Sequence, residues 1–575
     1  MIRRYLLLLT NQWGARSLFF FLLLHIGISN SLIAQTYFPM PEWFRENVGR
    51  KQTSVQPQAA GELLASLVQD GKLRLTEADA VRLVLQNNLD IVVDMDDPRI
   101  AQYAIEKGYG IFDPKLTSFL QMNRTSNPQN NAVTSGRIAY EQLQDQANFG
   151  FTQLLPTGTK YEFDYTNFRQ SSNSLYDVVL PSLNSGLRAL VTQPLLKNFG
   201  LLVNKRPVLI ARNNKDISDY IFATQLIAVV NQVQRLYWDI VFARDDIQVK
   251  QRSLDLATKI HEDNKRQVEI GTLAPIELVK SESEIANRKE ELIVAQYTLE
   301  QLENTIKKVI SAQRDPGQIS AKIEPLDKTL SPNDYKDIDV AREVSYAIES
   351  RPEIKQYKKD LDNQEINRRY FKNQLLPTVN LNMSYGTNAL AGQSRLFLPD
   401  GTFVYGPNTG FWDAMNQLFN NRFPTYGASI NIEIPIKNRS AQADYAQAQL
   451  LKSQSEKRLR ALEQQIALEV RNAFTTLEMN RAQIDATRKA RELAERNLDA
   501  EQKKFQLGTS TIRFVLEEQR NLSIAQTNEV RALTDFTKSK ADLDRAVGRT
   551  LDIQSIKIED VLNPSQPNAA KPKTP

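Results

Sequence analysis

The chain has 575 residues, with 72 Lys plus Arg against 67 Asp plus Glu, a formal net charge of +5, two histidines and no cysteine. The lack of Cys removes disulfide frameworks, thiolate metal sites and Cys nucleophiles, and two histidines leave little for a His-based metal site or triad. The small net charge, with no dense Lys/Arg block, gives nucleic acid no electrostatic footprint, and only 22 glycines suit long helices better than a loop-rich fold.

Residues 1–34 have the layout of a cleaved secretory signal, with an uncleaved anchor as the alternative: Arg3 and Arg4, an apolar run from Leu18 to Ile28, and Ser29-Asn30-Ser31-Leu32-Ile33 leading to the expected cut after Ala34. No Cys follows the run to carry a lipid anchor. Beyond residue 35 no stretch reaches the roughly 18 apolar residues of a spanning helix, so the mature chain is expected to be soluble outside the cytoplasm or to cross a membrane as strands. An extension over 35–72 is followed by two structural repeats, 73–310 and 339–548. A linker over 311–338 separates them, and a segment over 549–575 ends in a Pro-, Ala- and Lys-rich tail from Asn563 that reads as disordered.

The repeats are visible as fixed shifts. Gly271-Thr272-Leu273-Ala274-Pro275-Ile276-Glu277 reappears 237 positions later as Gly508-Thr509-Ser510-Thr511-Ile512-Arg513-Phe514, and the same shift carries Val233 and Tyr237 onto Val470 and Phe474. A second shift of 263 carries Asp113-Pro114 onto Leu376-Pro377 and Asn88-Leu89 onto Arg351-Pro352. Each half reads as short helix, strands, long helix, turn, long helix.

Between the short and long helices the apolar period is two. Tyr161, Phe163 and Tyr165 alternate with polar residues, as do Val379, Leu381, Met383 and Tyr385, and again Ala428, Ile430, Ile432 and Ile434. Alternation fits a half-buried soluble sheet or strands with one face on lipid. Strand lengths near the roughly 9 to 11 residues needed to cross a bilayer, and aromatics on the apolar face, favour lipid. The strands are too few for an independent barrel and need partners from other chains.

The long helices carry a 3.5-residue seam through Ile466, Val470, Ala473, Leu477, Asn480, Ile484, Thr487, Arg491, Ala494 and Leu498. Leu278, Ile285, Leu292, Leu299 and Ile306 repeat every seven residues, with Val515, Leu522, Glu529, Phe536 and Leu543 as counterparts. A helix from about Asn204 to Ile270 would be roughly 100 Å long, so it must pack against other long helices. Gly271-Thr272 and Gly508-Thr509 are the expected reversals between helices.

From about residue 72 the chain resembles the TolC-like outer-membrane efflux protein family. The matching residues are Leu75-Thr76-Glu77-Ala78-Asp79-Ala80-Val81, Asn87-Asn88-Leu89-Asp90, Phe112-Asp113-Pro114, Gln193-Pro194-Leu195-Leu196-Lys197-Asn198-Phe199-Gly200, Ala211-Arg212-Asn213-Asn214, the paired Gly-Thr turns and Ile434-Pro435-Ile436. The resemblance implies a mixed α+β, mostly α fold: a homotrimeric outer-membrane β-barrel continued by a long α-helical coiled-coil tunnel through the periplasm. Pro194 and Pro435 would mark the passage from barrel to tunnel, as Pro's missing donor also allows at a strand end.

The family's usual protomer supplies four strands, here about 115–124, 187–194, 377–386 and 426–435. An added hairpin, 148–155 and 159–168, could enter the barrel or stand outside it. The segment from Gly386 to Thr425 reads as an external loop with a turn at Pro399-Asp400-Gly401-Thr402. At the periplasmic tips the resemblance puts acidic gate positions at Glu277 and Glu517. Phe514 stands where relatives carry aspartate, and Arg513 with Glu517 is expected in the tip network. Taken alone, each carboxylate also fits a solvated helix face.

The implied role is a passive exit duct without cofactor, metal or catalysis, fed by an inner-membrane transporter through a periplasmic adaptor (membrane fusion) protein and seated in outer-membrane lipid. Its cargo could be a drug, a metal ion or, through type I secretion, a polypeptide. The competing reading is an exported coiled-coil scaffold or adhesin. A hydrolase lacks a convergent nucleophile, base and orienter. His261 reads as a seam or surface residue, Tyr237 and Trp238 as helix packing, and Phe411 and Trp412 as interfacial or loop aromatics.

Overall fold

The computed structural model describes residues 67–69, 71–129, 138–311, 321–329, 339–399 and 401–562. The expected signal segment, most of the 35–72 extension, much of the linker and the tail from Asn563 lie outside the described residues.

In chain order, strands β1 (Val68–Gln69) and β2 (Lys72–Leu75) precede helices α1 (Glu77–Asn87), α2 (Leu89–Asp94) and α3 (Asp96–Tyr109). Strands β3 (Lys115–Pro128), β4 (Ala139–Leu154), β5 (Lys160–Ser172) and β6 (Val179–Pro194) follow, then the long helices α4 (Arg206–Glu269) and α5 (Ile276–Ile310). After β7 (Lys322–Pro325) the plan recurs with α6 (Val340–Ser350), α7 (Pro352–Gln374), β8 (Thr378–Phe397), β9 (Phe403–Asn408), α8 (Phe411–Phe419), β10 (Pro424–Glu433), α9 (Arg439–Gln506) and α10 (Ile512–Val547). At 64 and 68 residues, α4 and α9 are each about 100 Å long.

The anticipated seam is real. Ile466, Val470, Leu477, Asn480, Ile484 and Leu498 of α9 are buried, and Phe536 and Leu543 of α10 join that core. The first repeat has its own core, in which Leu73, Leu83, Phe222, Leu226, Tyr237, Ile306 and Ile310 are sealed from water. Tyr237 donates its hydroxyl to the Asp327 carboxylate at 3.0 Å, and the Trp238 indole donates to Glu77 at 3.1 Å, so both aromatics are packing residues with satisfied polar ends. Thr76 opens α1 with a reciprocal cap shared with Asp79, which satisfies donors a helix start would leave bare.

The duplication extends to individual hydrogen bonds. Asn87 and Asn88 donate side-chain amides to the carbonyls of Ile310 and Val309, the last of α5. In the second repeat Ser350 and Arg351 donate to Val547 and Ala546, the last of α10. These are the same positions under the two sequence shifts. Each short helix closes the carbonyl end of the long helix, whose final acceptors have no partner within the helix. At that level Asp544 is half-buried, and burial pushes its carboxyl up to about 6 against the pull of Lys540 and Arg549, with Glu343 and Glu77 adding to the rise. A carboxyl raised above its unfolded value of about 3.9 stabilises the fold fully below that pH and loses the contribution as pH rises through about 6. Asp544→Asn is therefore expected to gain about 1–2 kcal/mol at neutral pH and nothing near pH 4, read from melting midpoints at both.

The structure adds a strand to the linker, corrects one expectation and answers one open question. Within the 311–338 linker, β7 pairs in parallel with β2 and so lies against the first repeat. The segment 386–425 is not a loop: β8 runs on to Phe397, β9 pairs back onto it, and α8 follows before β10. Its small residues lack an apolar strand signature because, as shown below, another helix covers them. The added hairpin, whose place the sequence leaves open, is part of the main sheet, which runs β10-β8-β6-β5-β4-β3 with antiparallel pairing throughout. It places six strands in one path where the resemblance implies four.

Candidate functional site

The six-strand sheet has two chemically different faces, which follow from its register. On one face a cross-strand row joins Thr117, Gly150, Asp164, Arg188, Gly386 and Thr425, and a row further along the same face carries Asn184, Phe168 and Gln146. Arg188 pairs with Asp164 at 2.8 Å. This face is dominated by Asn, Gln, Thr and Ser, with Phe119 and Leu190 among its exceptions. The opposite face carries Leu116, Phe151, Phe163, Ala189, Tyr385 and Tyr426 in one row, flanked by Leu120, Phe149, Leu187, Met383 and Ile430. Leu116, Met122, Tyr426, Ile430 and Ile432 of that face are more than half exposed in the single chain. A continuous exposed apolar band spanning six strands has no place in water. A polar face and an apolar face on one sheet fit a wall between an aqueous lumen and lipid. Among the described residues both edge strands, β3 and β10, have a free side on which another copy can pair.

At the other end of the molecule the two helix hairpins turn. Gly271 and Gly508 have φ of +77° and +74°, where a Cβ would be strained. Thr272 N–H donates to the Gln267 carbonyl and Thr509 N–H to the Lys504 carbonyl, at 2.9 and 3.0 Å. Both threonine hydroxyls donate to the same carbonyls. The two ends are copies of one helix-terminating motif. Leu498, Ile512 and Val515 are buried beneath the second tip against Leu256 and Ile260 of α4, so the tips stand on one core. The Gln519 amide donates to the Ser253 carbonyl across that contact. Both tips hold apolar side chains out to solvent: Ile270 is 74% and Leu507 79% exposed.

The expected site residues separate. Glu277, in the first turn of α5, pairs with Lys280 at 2.8 Å, and its other carboxylate oxygen is enclosed. Glu517 and Arg513 are exposed and make no ion pair among the described residues, and Phe514 is half exposed. The structure of one chain therefore does not join Arg513, Glu517 and Glu277. Pro194 is the last residue of β6, while Pro435 lies just beyond the end of β10.

Sequence reasoning missed a second-tip clamp in which Ser510 and Lys504 both bind Glu501 and hold its carboxyl below the usual range. It also missed Arg288, which is buried between Glu284 and Glu291, with Lys250 of α4 on Glu291. The i−4 and i+3 spacing of those carboxylates was the available signal. His261 bonds Ser281 at 2.8 Å and ties α4 to α5 near the tip.

Residues 344–549 match the family model described as outer membrane efflux protein. No curated protein matches the chain. Among solved structures, the Campylobacter jejuni CmeC outer membrane channel aligns with a TM-score of 0.58 at 14% identity, covering 85% of this chain and 88% of that one. CusC, described as undergoing folding and transmembrane channel formation, aligns at 0.58 and 15%, over 86% and 99%. The Vibrio cholerae outer membrane protein VceC aligns at 0.57 and 14%, over 82% and 96%. At these identities the structural likeness speaks to the fold.

Proposed function

We propose, from the match of residues 344–549 to the outer membrane efflux protein model, that this chain forms an outer-membrane exit duct for efflux. Its helical part stands in the periplasm. The observation that carries the reading furthest is the two-faced sheet with both edges open. Three copies would pair β10 of one protomer with β3 of the next and close a barrel around the Asn-, Gln- and Thr-rich face. With six strands each, three copies give eighteen strands. The long helices continue the barrel as a tunnel, and the exposed Ile270 and Leu507 at its tips offer apolar contacts to a periplasmic adaptor. Transport is passive conduction, with energy supplied by an inner-membrane transporter.

The competing scaffold reading has no use for an apolar band repeated across six strands. Fractionation of the envelope with mass measurement of the detergent-solubilised chain tests the choice. An outer-membrane trimer that conducts in planar bilayers is expected; a soluble periplasmic monomer or dimer would leave the scaffold.

Three copies of Glu277 and Glu517 at a narrow mouth would concentrate negative charge and favour cations. Glu517→Gln, whose carboxylate is exposed, is expected to lower cation preference in reversal-potential measurements more than Glu277→Gln, whose charge is already countered by Lys280. Unchanged selectivity in the double variant would remove both from the gate.

A further inference from the structure

The short helix α8 sits on the apolar face of the sheet. Its Ala414 and Leu418 are buried against Ala389 and Ala391 of β8, with Leu183 and Leu187 of β6 packed around them. It is fastened by an unusual tie. β10 ends opposite Thr387 and Asn388 N–H still donates to the Phe423 carbonyl at 3.1 Å, but the next backbone groups of β8 on that edge, those of Leu390, have no strand partner among the described residues. The Gln417 side chain replaces one: its carbonyl accepts from Leu390 N–H at 3.2 Å and its amide donates to the Leu390 carbonyl at 3.1 Å. A side-chain amide standing in for a strand satisfies an edge that would otherwise be bare. The helix turns Trp412 and Phe419 away from the sheet, 71% and 78% exposed.

The depth of this helix follows from the register. On β8 the large apolar residues run from Val379 to Tyr385, about 20 Å along the strand and about 15 Å across a bilayer at a tilt near 40°. Outer-membrane barrels carry a band about 25 Å tall. Beyond Tyr385 the face continues as Thr387, Ala389 and Ala391, too small to complete the band, and α8 covers these positions. In the same rows the face turns polar two strands away, with Arg169 paired to Asp145 at 3.2 Å. The helix therefore lies where hydrocarbon gives way to headgroups, at the end of the sheet remote from the tunnel.

We propose that α8 is an interfacial anchor that presses Trp412 and Phe419 into the headgroup boundary of the external leaflet and completes the lipid-facing wall over β6 and β8. Aromatic residues are suited to that boundary, having an apolar body and, in Trp, one donor for the wet side. The proposal rests on the reading of the sheet as a barrel wall.

The test uses the full trimer in phosphatidylcholine vesicles, with lipid brominated either near the headgroup end of the chain or near its terminus. The Trp412 signal is the emission lost in Trp412→Phe. It is expected to fall about twofold with the shallow bromine and less with the deep one. Tyr426→Trp in the Trp412→Phe background reports on the band itself. Quenching of that probe with Trp412 open to aqueous acrylamide would overturn the anchor and leave the barrel standing. Trp412 shielded from both quenchers would mean a protein contact and would also overturn it. If neither probe meets bromine, the barrel reading fails.

Discussion

Arg351→Leu is expected to be among the most damaging single substitutions in the helical part, costing about 3 kcal/mol, the low end for breaking a buried ion pair. Arg351 is 7% exposed and holds three partners: Glu353 at 2.7 Å, Glu469 at 2.7 Å and the Ala546 carbonyl at 3.2 Å. Leucine fills much of the volume but leaves two carboxylates and a helix-end carbonyl without their donor. The loss stays at the low end because Glu353 and Glu469 retain contact with water and Arg545 still reaches Glu469 at 3.0 Å. Thermal melting followed by helical circular dichroism measures it. Asn88, the equivalent residue of the first repeat, makes the corresponding backbone bond without a charge, so Asn88→Ala is expected to cost less. Equal losses would show that the ion pairs add nothing.

Excising residues 139–172 is expected to leave a trimer with a much smaller pore. The hairpin of β4 and β5 lies between β3 and β6, and those two strands run antiparallel to each other, so β3 can pair with β6 directly when the hairpin is removed. Barrel diameter grows nearly linearly with strand number, so going from eighteen strands to twelve takes the diameter from about 35 Å to about 24 Å and the cross-section to about 0.4 of its value. Single-channel conductance should fall to about half or less where the barrel limits the current. Neutral polymers that enter the unmodified channel from the external side should be excluded from the shortened one. Unchanged conductance and polymer access in an intact trimer would place the hairpin outside the wall. The polymer cut-off of the unmodified channel supplies an independent check that needs no deletion.

The sequence by itself determined the duplication, the long-helix seam and the helix reversals. Heptad spacing and a Gly-Thr pair are local signals, and the burial of Val470, Leu477 and Ile484 and the positive φ of Gly271 and Gly508 follow from them without reference to distant residues. Alternation likewise marked both faces of the strands through Tyr161 to Tyr165 and Ala428 to Ile432. Only the tertiary structure decided where the added hairpin goes, because strand order is a matter of long-range pairing that period two does not encode. The same holds for β7, four residues that become a strand only beside β2. It holds too for Thr387, Ala389 and Ala391, which look like loop residues until α8 covers them. At the tips, Glu277 was recognisable as a position, but its neutralisation by Lys280 and the clamp of Ser510 and Lys504 on Glu501 depend on how a turn folds back on its helix. Local periodicity fixes which face a residue takes; what that face meets is set by chain segments tens to hundreds of residues away.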